Sequence, residues 1–208
     1  MLFKKSLLAL SLMTLSAAAL SAPIANLKVT GSIAPPTCLI NGGNEDTFIY
    51  EFDFSRTIFP ASGDLVLNAE SKNIEVVCDA TTILTFTAVD DRSATVLTPG
   101  DNNFGLGSTS DSVNIGFYTV TMENATVKEN ANAKATSVSV LVGSDFGSTG
   151  TVSKTETAGW ATAPDKLAQG QIFAADFTVT PTINGDLKNS AGDVSLDGYA
   201  VLTFAFGL

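Results

Sequence analysis

Histidine is absent from the 208 residues, and 11 Lys and Arg stand against 21 Asp and Glu. The first absence excludes His-based catalytic triads, His-ligated metal centres and imidazole acid–base chemistry. The second, with a formal charge of −10 and a pI near 4.2, argues against a surface that tracks a phosphate backbone, so no nucleic-acid partner is expected. There is no Gly-x-Ser-x-Gly elbow, no phosphate loop and no dinucleotide fingerprint, so neither an enzyme nor a cofactor site is expected. Only two cysteines and one tryptophan are present. No hydrophobic run reaches the ~20 residues needed to span a bilayer.

What is present begins with a secretory pattern. Lys4 and Lys5 form a positive start, Leu7 to Leu20 an apolar stretch, and Ala17 to Ala22 supply the small residues that a signal peptidase requires. The expectation is a signal peptide over 1–22, cleaved near Ser21 or Ala22, and one domain over 23–208. Removing Lys4 and Lys5 leaves nine basic against 21 acidic residues, a charge of −12. Export into an oxidising compartment then favours a disulfide between Cys38 and Cys78. Closing a loop of about 40 residues stabilises the fold by roughly 4 kcal/mol on the chain-entropy account.

The remaining chain reads in period two. Phe48, Tyr50, Phe52 and Phe54 alternate with Thr47, Ile49, Glu51 and Asp53, the pattern of a half-buried strand. Further runs rich in Val, Ile, Thr and Phe cover 73–78, 83–89, 113–122, 137–142, 171–181 and 199–206. Asn-Gly, Gly-Asp and Pro-Gly turns separate them. Short strands punctuated this way predict an all-β, antiparallel sandwich.

Several polar features were weighed for chemistry. Residues 123–135 read as a polar loop, because Asn124, Asn130 and Asn132 are poor helix formers. Residues 143–168 read as a flexible excursion at the sandwich edge, with Trp160 a packing residue in preference to a sugar platform. Asp90 and Asp91 sit on adjacent positions that face opposite ways in a strand, so a turn with Asp91 against Arg92 is expected. Asp101-Asn-Asn lacks the spacing of a calcium loop. Asn124-Ala-Thr126 is a three-residue sequon of the kind that arises by chance.

At the C-terminus, Gly198, Ala200, Leu202, Phe204 and Phe206 share one strand face, and the other face is apolar apart from Thr203. Such a strand must be covered on both faces or paired along its edge, and a strand supplied by another chain would do that. The sequence here resembles subunits of bacterial chaperone–usher fimbriae, and more closely a poorly characterised fimbrial-like family among them. The likeness rests on Lys28-Val-Thr-Gly-Ser-Ile-Ala-Pro-Pro-Thr-Cys38, on Ile74-Glu-Val-Val-Cys78, and on blocks at 88–92, 104–107 and 115–120.

The resemblance implies a pilin-like, incomplete immunoglobulin-like sandwich whose groove is filled first by a periplasmic chaperone and then by the N-terminal extension of a neighbouring subunit. It implies an outer-membrane usher and other fimbrial subunits as further partners, and a route through the periplasm to a cell-surface fimbrium. Gly198 to Phe206 would border the groove. Phe206 stands third from the end of the sequence, whereas pilins place such an aromatic next to last. Two alternatives stay open at the other end: Leu27, Val29, Gly31 and Ile33 form a donor face, or the chain donates no strand and terminates a fibre. The competing expectation is a stand-alone exported sandwich that binds a ligand such as a glycan through residues 99–112 and 143–168.

Overall fold

The computed structural model describes residues 24–32, 35–190 and 192–207. The chain divides into two units, 1–34 and 35–208. In the first, residues 24–32 are exposed and form neither strand nor helix. The expected signal peptide lies outside the described residues.

The second unit is all-β, with no α-helix among the described residues. Its strands are β1 (Cys38–Ile40), β2 (Leu65–Val66), β3 (Glu70–Asp90), β4 (Phe104–Gly105), β5 (Gly116–Lys128), β6 (Thr136–Ser137), β7 (Ser139–Val142), β8 (Asp145–Gly147), β9 (Thr149–Thr151), β10 (Ala158–Ala163), β11 (Lys166–Leu167), β12 (Gln169–Ile183) and β13 (Ala200–Gly207). All thirteen pair antiparallel, in a curled sheet with the order β4-β5-β12-β3-β10-β7-β8 along its main path.

β3 explains the curl. Twenty-one residues of straight strand would extend roughly 70 Å, whereas a unit of about 170 residues is only about 40 Å across. The strand therefore bends and serves both layers of a sandwich. Its first part pairs with β12 from Glu70 to Ile83 and with β1 at Val76 to Cys78. Its second part pairs with β13 from Ile83 to Asp90 and with β10 at Thr85 and Phe86. Cys38 lies opposite Cys78 in the β1–β3 register, and the two form the expected disulfide.

The inward positions alternate as period two requires: Ile74 and Val76 on β3, Tyr118, Val120 and Met122 on β5, Phe173, Phe177 and Val179 on β12. Phe86 occupies the centre of the aromatic core, its ring 5.6 Å from Phe177, 6.3 Å from Trp160 and 5.5 Å from Phe204. Trp160 is fully buried, and its indole N–H donates to the Ala174 carbonyl at 2.9 Å. Burying so large a side chain requires that partner, because an unmet N–H inside a core is costly.

Two sequence expectations need correction. The polar loop expected over 123–135 begins only after Lys128, because β5 continues through it. Asn124 takes φ +52° at a register shift between β12 and β5, and its side-chain amide donates to Asp176 at 2.8 Å. That bond, with Ala125 and Val127 buried below, holds a turn-prone residue inside a strand. The excursion expected over 143–168 is folded into β8, β9, β10 and β11. Its polar punctuation conceals Val152, Ala158, Trp160 and Ala161, all of which reach the interior.

Candidate functional site

Residues 44–54 keep the alternation read from the sequence, with Phe48, Tyr50, Phe52 and Phe54 half-buried on the core and Thr47, Ile49, Glu51 and Asp53 exposed. The expected strand pairing is missing. Among the described residues no backbone group of this segment joins a ladder. Its anchors are side chains: the Tyr50 hydroxyl donates to the Phe177 carbonyl at 2.8 Å, and the Glu51 N–H donates to Glu70 at 3.1 Å. Burial, with the nearby Glu70 and Asp176 carboxylates, pushes the Tyr50 phenol up to about 12. Lys72 caps the arrangement, 2.9 Å from Glu70 and 5.4 Å above the Tyr50 ring.

The facing bank is β13 with the segment that leads into it. β13 hydrogen-bonds to β3 along one edge and has no strand on its other edge among the described residues. Ala200, Leu202 and Phe204 turn inward and pack on the core, while Tyr199, Val201 and Thr203 face out. Phe206 is 39% exposed at the strand's end. Gly198 lies against Tyr118 and Leu106, where an added Cβ would come 2.8 Å from the Tyr118 ring, so this approach requires glycine.

Between the two banks lies an open groove of about 1400 Å³, floored by Ile74, Val76, Val120, Phe177 and Val179. These five belong to the core and are buried beneath the bank side chains, while among the described residues no strand pairs with either bank across the groove. At one end Arg56 donates to the Gly192 carbonyl and to Ser190 Oγ, which ties the first bank to the second. Near β13, Arg92 pairs with Asp197, not with Asp91 as the sequence suggested; Asp91 instead donates its N–H to the Tyr199 carbonyl at 3.0 Å. Asp90 is buried and accepts from the N–H groups of Arg92 (2.9 Å) and Gly105 (3.0 Å), with Lys154 Nζ at 3.8 Å. Its environment is a structural corner.

The residues singled out as a donor face belong to the first unit. Leu27 and Val29 are each 97% exposed, Gly31 has open space around it, and Ile33 lies outside the described residues. Sequence reasoning missed the groove's first bank. The four alternating aromatics were visible, but nothing local told that this strand has no hydrogen-bonded neighbour.

Among the described residues no cluster of three or more acidic, Cys or His side chains is placed to hold a metal. No helix among them is long and apolar enough to cross a membrane, and the disulfide fits an oxidising, exported location. The fold and groove define an all-β, disulfide-bonded antiparallel sandwich with an open groove between an unladdered segment and the free edge of β13. Comparison with protein-family models and with curated proteins finds no match to the chain.

Proposed function

We propose that the protein is a structural or minor subunit of a surface fimbria, completed by strand exchange with a periplasmic chaperone and then with neighbouring subunits. The groove carries this reading. Its floor is apolar, and both banks present backbone that no ladder satisfies, which is the surface an added strand covers. An outer-membrane usher and a fibre at the cell surface follow as the proposed route, and the role is non-enzymatic. Ala200, Leu202 and Phe204 would contact the incoming strand's apolar face.

Expression of the exported chain with and without a fimbrial chaperone tests the proposal. Co-purification with the chaperone, and loss or aggregation without it, is the expected result. A stable, soluble monomer produced without any partner would overturn it.

A further inference from the structure

The groove's rim is as one-sided in charge as its floor is apolar. Glu45, Asp46, Glu51 and Asp53 lie along the first bank, and Asp193 and Asp197 along the second. Among the described residues Arg56 is the only basic one lining the groove, and its guanidinium is engaged on Gly192 and Ser190. Arg92 offsets Asp197, so five carboxylates remain along the rim. An inserted strand turns every second side chain to the floor and the others to solvent, beside the outward residues of its neighbours. On the first bank those neighbours include Glu51 and Asp53, both exposed.

We infer that the groove selects a partner strand whose inward positions are apolar and whose solvent-facing positions carry Lys or Arg. The inference rests on reading the groove as a strand acceptor and adds the chemistry of the strand it accepts. A chain with a formal charge of −10 repels acidic partners at long range and draws in basic ones. This chain's own segment 26–32, laid down as a strand, would meet the apolar requirement with Leu27 and Val29 but would present Asn26, Lys28, Thr30 and Ser32 on its other face. With a single positive charge, it is the weaker fit, and a more basic strand from a different polypeptide is the favoured occupant.

Three labelled peptides that share Leu27, Val29, Gly31 and Ile33 probe this with the full, oxidised chain. One carries lysine at all four alternate positions, one glutamate, and one keeps the native residues. Fluorescence anisotropy should show the lysine peptide binding about tenfold more tightly than the glutamate peptide at low salt. The gap should close near 1 M salt, where the screening length is about 3 Å. The double variant Glu51→Lys, Asp53→Lys should shrink or reverse the low-salt order. Equal affinity of the lysine and glutamate peptides, or a native peptide that matches the lysine one, would overturn charge selection while leaving the acceptor groove standing. Failure of all three peptides to bind would remove the acceptor reading itself.

Discussion

Arg92 and Asp197 meet in a two-pronged ion pair, Nε to Oδ2 at 2.8 Å and Nη2 to Oδ1 at 3.1 Å, which fastens the end of β3 to the segment entering β13. The guanidinium holds the Asp197 carboxyl below the usual carboxylate range, and the carboxylate in turn raises Arg92. A carboxyl whose pKa is depressed on folding contributes stability above its unfolded pKa and loses it as pH falls through the folded value. Amide exchange along β13, corrected for intrinsic rate, should therefore accelerate as pH drops below the carboxylate range. In Asp197→Asn the same amides should already be faster at neutral pH and should lose that pH dependence.

The disulfide carries a second prediction. Replacing Cys38 and Cys78 by alanine should lower unfolding free energy by about 2–5 kcal/mol. Urea titration of the oxidised wild type, the reduced wild type and the double variant measures this. The reduced wild type and the variant should agree closely.

A third prediction concerns Trp160. Trp160→Ala should cost about 3–5 kcal/mol by opening a cavity between Phe86 and Phe173. Trp160→Phe should cost less, since it keeps an aromatic body and loses the bond to Ala174 and only part of the ring volume. Because this is the sole tryptophan, wild-type fluorescence should be blue-shifted and should move to the red on unfolding, while the two variants, which lack it, are compared with the wild type by chemical denaturation followed by far-UV circular dichroism.

Asp90 offers a fourth test. Removing it leaves Lys154 near the Phe104 ring without its carboxylate, and strands two backbone N–H groups. Asp90→Ala should therefore destabilise by about 3–5 kcal/mol. Asp90→Asn should be milder, because one amide oxygen still accepts. A double-mutant cycle with Lys154→Met separates the ionic share from the backbone share; a coupling near zero would assign the whole effect to the two N–H groups.

Backbone protection in the first bank gives the last prediction. Amides of residues 47–54 should exchange far faster than those of β12, despite the half-burial of their aromatic side chains, because they join no ladder. An occupant strand in the groove should slow them together with the outer amides of β13. Slow exchange of 47–54 in the unoccupied protein would show that the bank is already paired.

Much of the fold was legible from local pattern. The period-two runs gave the strands, the Gly and Asn turns gave their ends, and two cysteines forty positions apart gave the bridge. The inward face of β13 was also readable, because Ala200, Leu202 and Phe204 alternate cleanly. What escaped depends on partners distant in sequence. Asn124 reads as a loop residue until Asp176, 52 positions on, supplies its hydrogen bond. Arg92 directly follows Asp90 and Asp91, yet its ion-pair partner is 105 positions away. The unpaired state of residues 44–54 is a property of the sheet order, which no local run of side chains encodes.

The bond between Cys38 and Cys78 has a mechanical meaning as well. β13 is fastened along eight residues to β3, and β3 is fastened to the first strand by that covalent link. A pull that enters through a strand laid against β13 and leaves through residue 35 must cross from β3 to β1. Without the disulfide that crossing would rely on a three-residue ladder. With it, the tensile load passes through a covalent bond, and the point of mechanical failure shifts to the hydrogen-bonded edge of β13.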